Sequence, residues 1–374
     1  MDAVEPYSGF EQGPIRPPSE SDSLLIRVTR NCPWNRCTFC GLYKGEGFSR
    51  RPLAHVQRDI DTVHRYCTAL ERGGATSAGI TILPGEEMAY YAARNWLLAG
   101  AQSVFLQDSN SLIVNPDDLV RLVRHLKCLF PSIKRITSYA RSQTIARMDD
   151  DQLQRLAAAG LNRIHIGLES GCDQVLEFVN KGADKQTHIL AGQKVKRAGI
   201  QLSEYYMPGL GGQARSREHA LESADAFNQI DPDFIRLRTL ALPAVLDLAR
   251  EARAGRFEPL GDVAVAEELL LFLGALDGIS SQVKSDHILN LFEEIDGTLP
   301  RDKEAMLAVI RRFLAWDPRE QVLYRIGRRC GVFRCLDDCT EPMRRRRALH
   351  YVEQLGANPD TVDRIVAEVV QRFI

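Results

Sequence analysis

The sequence predicts an α/β protein, a partial (β/α)6 TIM-like barrel of parallel strands followed by a helical C-terminal region. Three observations carry this. Short apolar, β-branched runs alternate with helix-period segments six times between residues 23 and 245. Each alternation leaves room for a crossover helix, which is what parallel strands require. After about residue 245 the strand-like runs stop and helical periodicity takes over. The expected organisation is a flexible N-terminal arm at 1–22, a core at 23–245 and a helical region at 246–374. With 374 residues, 44% of them hydrophobic and 26% charged, the chain is long enough to bury such a core without disulfides.

The arm is read from Pro6, Gly9, Gly13, Pro14, Pro17 and Pro18, which crowd a stretch with few aliphatic residues. Leu24 to Thr29 is the first strand, and Leu53 to Leu70 the helix after it. Segment 72–101, with Gly73-Gly74 and Pro84-Gly85, reads as an insertion before the second strand, Ser103 to Gln107. Asn115-Pro116 opens a helix to about Phe130, with proline where its missing N–H costs nothing. Ile133 to Tyr139 is the third strand, and Asp149 to Ala159 a helix closed by Gly160. Arg163 to Leu168 is the fourth strand, and the helical stretch after it ends near Arg197-Ala198, with Gly199 behind it. Ile200 to Met207 is the fifth strand, Ser216 to Gln229 a helix and Phe234 to Leu242 the sixth strand. Helices are expected at Ala264–Leu276, Asp286–Ile295, Asp302–Trp316, Pro342–Leu355 and Pro359–Phe373.

Forty-eight basic against 49 acidic residues give a net charge of −1, which argues against a nucleic-acid partner held by bulk charge and favours a small substrate. The longest apolar run, Leu269 to Leu273, is too short to span a bilayer, and no secretory leader opens the chain, so a cytoplasmic protein with no membrane partner is expected.

Nine cysteines stand out, at 32, 37, 40, 67, 128, 172, 330, 335 and 339. An odd number without a leader argues against a disulfide framework. The first strand runs into Asn31-Cys32-Pro33-Trp34-Asn35-Arg36-Cys37-Thr38-Phe39-Cys40-Gly41. Three thiolates in so short a loop suit a soft metal centre. With no fourth ligand nearby they suit an open iron–sulfur cluster better than a closed structural zinc site, although zinc and plain packing stay open as readings.

Over about residues 23–245 the chain resembles the radical S-adenosylmethionine (radical SAM) superfamily. The three-cysteine loop carries the likeness, with Phe39 directly before the last cysteine. Its spacing of four then two intervening residues departs from the family's usual three then two. The resemblance implies a [4Fe-4S] cluster on Cys32, Cys37 and Cys40, with S-adenosylmethionine chelated at the open iron. Reductive cleavage of that cofactor would give a 5′-deoxyadenosyl radical that abstracts hydrogen from an unidentified substrate. An electron donor such as flavodoxin or ferredoxin is implied with it.

Further segments match by position at strand ends, where barrel ligands gather. Asp108, Ser109 and Asn110 lie where the family binds the methionine amino group, though its usual glycines are missing. Glu169, in Gly167-Leu168-Glu169-Ser170-Gly171, falls in the ribose-contacting segment. Met207 and Gly209 fall in the glycine-rich turn near the adenine, and Arg141 and Arg238 are set to meet the cofactor carboxylate. For each, an ordinary capping turn, solvated carboxylate or surface ion pair is the competing reading.

Cys330, Cys335 and Cys339 are either an auxiliary cluster or small apolar fillers, the latter favoured because their spacing fits no auxiliary pattern. Cys67, Cys128 and Cys172 are expected to pack. The polar residues around His287 read as the N-cap of the 286–295 helix, and Arg344 to Arg347 as a solvated face. No catalytic side chain is singled out. The alternative to an enzyme is a non-catalytic iron–sulfur or zinc carrier on the same scaffold.

Overall fold

A computed structural model describes residues 5–73 and 80–371. Gly74 of the expected insertion, Phe373 of the expected last helix and the first four residues of the arm lie outside the described residues. The rest forms two compact units. The first comprises residues 1–35, 43–166 and 191–202, the second residues 36–42, 167–190 and 203–374.

In the first unit, β1 (Leu24–Arg27), β2 (Ser103–Gln107), β3 (Arg135–Ala140) and β4 (Arg163–Glu169, its last residues belonging to the second unit) run parallel in sequence order. Their registers are Leu24 opposite Val104, Ser103 opposite Arg135 and Thr137 opposite Arg163. Helices Leu53–Gly73, Glu87–Leu98, Pro116–Leu129 and Asp150–Ala159 connect them. Asn115 caps the third of these through Asp117 N–H at 2.8 Å, and Gly160 closes the fourth at φ 118°. β2 is buried along its whole length, as a parallel strand covered on both faces should be.

Residues 5–22, expected as an arm, make specific contacts with the same unit. The Gln107 carboxamide accepts from Gly13 N–H at 2.8 Å and donates to the Ile15 carbonyl at 2.6 Å. Glu11 pairs with Arg30 at 2.6 Å and Arg51 at 3.1 Å, and Phe10 is buried.

In the second unit, β5 (Gln201–Tyr206), β6 (Phe234–Leu237) and β7 (Gln282–Lys284) are parallel, with Ser203 opposite Phe234 and Phe234 opposite Gln282. β8 (Gly297–Thr298) pairs antiparallel with β7. Tyr206 stacks on Phe272 at 3.8 Å between ring centroids, with Phe227 edge-on, joining β5 to helices Gly212–Ile230 and Asp262–Ala275. The α/β class and the mostly parallel strands are as expected.

The C-terminal half differs in two places. β7 and β8 lie beyond residue 245, where no strand was expected; at three and two residues they are too short to carry a period-2 signal. Residues 286–295, expected as a helix, form an irregular segment. Its carbonyls are taken by side chains instead of by a helical ladder. Arg328 donates to Asn290 O and Leu291 O, and Arg329 to Leu289 O. Asn290 accepts from Thr239 N–H at 3.0 Å and donates to Leu237 O at 2.9 Å, fastening the segment to the end of β6. Ser285 and Asp286 therefore cap no helix. Ser285 donates to Phe292 O, and Asp286 pairs with Arg236. The last helix begins at Val362 rather than Pro359.

Burial, and next the Arg238 charge, lower the His287 pKa from 6.5 to about 4. Below pH 6.5 the unfolded chain takes up a proton that the folded chain refuses. Stability is therefore full above that pH and lost progressively toward pH 4. His287→Asn is expected to flatten this loss, seen as a smaller fall in Tm when melting curves are recorded between neutral and mildly acidic pH.

Candidate functional site

The cysteine loop is held at its base by a two-residue antiparallel ladder, Thr29 opposite Arg50 and Arg30 opposite Ser49. Asn31 and Asn35 both take left-handed backbone conformations, φ 66° and 46°, which asparagine tolerates better than most residues. Asn35 lies inside the four-residue spacing between Cys32 and Cys37. Its N–H donates to Cys32 Sγ at 3.4 Å, and its side-chain amide donates to Tyr43 O. The Arg141 guanidinium sits 5.0 Å above the Trp34 ring of the same loop.

Cys37 and Cys40 belong to the second unit, where Cys40 N–H meets Cys37 O at 3.4 Å in a tight turn. Thr38 anchors this piece, donating from N–H to Val179 O and accepting from Leu248 N–H, both at 3.0 Å. Phe39 packs against a core of Cys172, Val175, Val179, Leu210, Leu248 and Phe257, with Met207 alongside.

All three loop thiols are half-buried, and none of the nine cysteines is in a disulfide. In kind and spacing these donors suit a cluster with one open iron. Among the described residues, however, no group of three His, Cys, Asp or Glu side chains converges as a metal site, the loop thiols included.

Glu169 ends β4 in a left-handed conformation, φ 64°, a strained setting for a residue with a Cβ. Its carbonyl accepts from Met207 N–H at 3.0 Å, and its carboxylate pairs with Lys181 at 3.2 Å. Lys181 also stands 5.6 Å from the Phe39 ring centroid. Gly167 makes room for this side chain: a Cβ there would lie 2.2 Å from Glu169 Oε1. Thus Phe39, Glu169 and Met207 are brought together in the second unit, with Gly209 in the turn just beyond Met207.

Behind that turn lies a network the sequence reading missed. Glu268, 1% exposed, accepts from Gly209 N–H at 2.7 Å, Ser216 Oγ at 2.6 Å and Tyr206 Oη at 3.2 Å. Beside it, His219 bonds Met207 O at 3.0 Å through Nε2 and Ser170 Oγ at 2.8 Å through Nδ1. Burial lowers the His219 pKa, so the ring is neutral, donating from Nε2 and accepting at Nδ1. The segment after β4 and the turn after β5 are thereby locked to each other. No local motif marks either residue: Glu268 is one of three acids in an otherwise apolar helix, and only the fold shows that it faces inward.

Other candidates are placed differently. Asp108 is wholly buried in the first unit, bonded to Arg27 at 3.1 Å, to Asn31 N–H at 3.4 Å and to Tyr43 Oη. Burial pushes it above the ordinary carboxylate range despite these partners. Ser109 donates to Asn31 O at 3.0 Å; Asn110 bonds Thr144 Oγ at 2.9 Å and Arg141 N–H at 3.1 Å. Arg238, on the strand extension after β6, lies 5.0 Å above the Tyr205 ring in the second unit.

Cys172 and Cys67 are buried, whereas Cys128, expected in the core, is exposed on the outer face of its helix. Cys339 is buried and its thiol pushed up to about 12, mainly by burial; Cys335 is also raised. Arg344 and Arg345 pair with Asp338 and Glu320 on a solvated face.

A mostly parallel α/β scaffold, a cysteine loop after its first strand and polar turns after its later strands define the class of protein. Residues 26–224, more than half of the chain, match the radical SAM superfamily model, and the chain belongs to that superfamily. It is similar to the tRNA uridine(34) acetyltransferases of Methanocaldococcus infernus and Methanocaldococcus jannaschii, each 18% identical. Those matches cover 61% and 63% of this chain, which spans less than half of the relatives' length, 44% and 45%. Among solved structures it is similar to coproporphyrinogen III oxidase from Escherichia coli (15% identity, TM-score 0.45, 67% of this chain and 52% of that one). Methylornithine synthase is another such structure (15% identity, TM-score 0.43, 71% and 66%). No described helix is long and apolar enough to cross a membrane.

Removing the Glu268 carboxylate leaves three donors without an acceptor, the buried Gly209 N–H among them. Glu268→Ala is therefore expected to cost about 3 kcal/mol in urea denaturation.

Proposed function

We propose that this chain is a radical SAM enzyme acting on a small molecule, with Cys32, Cys37 and Cys40 holding a [4Fe-4S] cluster. Bound there, the cluster and S-adenosylmethionine would supply a 5′-deoxyadenosyl radical by reductive cleavage of the cofactor's carbon–sulfur bond, the electron coming from a flavodoxin or ferredoxin. The observation that carries this reading is the three-thiol loop directly after β1 in a chain of this superfamily.

The chain's own residues have positioning roles. Phe39 anchors the last cysteine's turn in the core, and Lys181 holds the Glu169 carboxylate ready for a hydroxyl-bearing partner. Met207 and Gly209 present the turn after β5, whose shape Glu268 and His219 maintain. Arg238 offers a guanidinium to a carboxylate. Asp108, Ser109 and Asn110 serve by shaping the backbone after β2, since their side chains are bonded to the protein. The curated relatives are named for acting on tRNA. The near-zero net charge and the paired Arg344 and Arg345 favour a small substrate here.

Anaerobic reconstitution tests the proposal. The chain is expected to take up about four iron and four sulfide, and to form 5′-deoxyadenosine from S-adenosylmethionine once reduced with dithionite. Cys32→Ser should abolish product, and Cys335→Ser should leave it unchanged. A cluster that assembles without yielding 5′-deoxyadenosine would return the carrier reading.

A further inference from the structure

A cavity of about 380 Å³ lies wholly within the second unit. That volume is within the range of small-molecule sites. Its apolar wall includes Leu240 and Leu242 after β6, Val265, and Val366 and Val370 of the last helix. The Gln371 carboxamide donates to Leu242 O at 3.1 Å, tying that helix end to the segment after β6.

One side of the cavity is charged and buried. Arg325, Arg329 and Asp262 all line it, at 3%, 6% and 6% exposure. Asp262 Oδ2 accepts from Arg325 Nε at 3.0 Å, and Oδ1 from Arg329 at 2.6 Å. Two buried guanidinium groups thus share one buried carboxylate. The second acid on Arg325 is Asp363, whose side chain is 64% exposed and screened by solvent. Arg364 and Glu368 pair with each other in the open and leave the interior balance unchanged.

Two further observations bear on the chemistry of a ligand. Arg329 Nε is buried and has no hydrogen-bond partner among the described residues. A buried donor left unmade is costly, which favours a ligand that brings an acceptor to it. Second, helix Asp262–Ala275 begins at the cavity with Gly261 as its N-cap and no side-chain cap hydrogen bond, with the Asp262 and Asp363 carboxylates beside that start. A Cβ at Gly261 would lie 2.4 Å from Asp363 Oδ1, so the Asp363 carboxylate stands directly beside this N-cap.

We infer that this cavity binds a small molecule with a compact apolar body and one carboxylate, the carboxylate meeting Arg329 and the start of the 262–275 helix. Naming that molecule as the substrate rests on the radical SAM reading; the binding itself does not.

Calorimetry on the full chain, without S-adenosylmethionine, tests it with phenylbutyrate and phenylbutanol, which share an apolar body and differ in the carboxylate. Phenylbutyrate is expected to bind about tenfold more tightly than the alcohol. Arg329→Lys keeps a cation beside Asp262 but removes Nε, and should erase most of that preference. Ala241→Trp fills the cavity without touching the ion cluster and should abolish binding of both probes. Failure of both probes to bind, equal binding of acid and alcohol, or unchanged binding in Ala241→Trp would each overturn the inference. Displacement of phenylbutyrate by S-adenosylmethionine would overturn it too, by assigning the cavity to the cofactor. Because no turnover is read, these failures are distinct from a failure to form 5′-deoxyadenosine.

Discussion

The Glu268 carboxylate is the constraint on which the second unit's site depends. A carboxylate taken out of water must be matched by donors, and here they come from a backbone N–H, a tyrosine and a serine, with a neutral histidine alongside. Each donor sits on a segment whose position would otherwise be free. Gly209 lies in the turn after β5 and Ser216 in the helix that follows; Tyr206 is the last residue of β5. His219 extends the network to Ser170, directly after the strained Glu169. The strain at Glu169 is tolerable because its neighbours are over-determined: Ser170, Met207 and Lys181 are each held by partners of their own.

Such a network explains what the sequence could and could not reveal. The first six parallel strands were legible because a strand buried on both faces is a short, continuous apolar run, as in Ser103–Gln107, whereas β7 was too short to show one. The cysteine loop was legible because three thiols in nine residues are rare without a chemical purpose. Glu268 and His219 were not, since each is an ordinary polar residue in a helix until tertiary packing turns it inward. The same holds for Asp262, Arg325 and Arg329. Asp262 lies more than sixty positions from Arg325 and Arg329 and meets them only in the folded chain.

The misread segment at 286–295 teaches the converse. Ile288, Leu289, Leu291, Phe292 and Ile295 have a spacing that suits a helix. A helix would have taken up their carbonyls internally. Arg328 and Arg329 take up the carbonyls instead, and Asn290 fixes the segment to β6, so Leu289, Leu291, Phe292 and Ile295 are buried on an irregular backbone while Ile288 stays exposed. Periodicity records which side chains are buried, and it is silent on whether backbone or side chain completes the hydrogen bonds.

The cysteines divide along physical lines. Burial raises the thiols of Cys67 and Cys339 to about 12, which disfavours the thiolate that a metal requires. Cys172 is closed within an apolar cluster, and Cys128 is alone on a helix surface. Cys32, Cys37 and Cys40 differ from all of these in lying half-buried on one short loop. The loop's two halves are also secured separately, Asn31 and Asn35 in the first unit and Thr38 and Phe39 in the second.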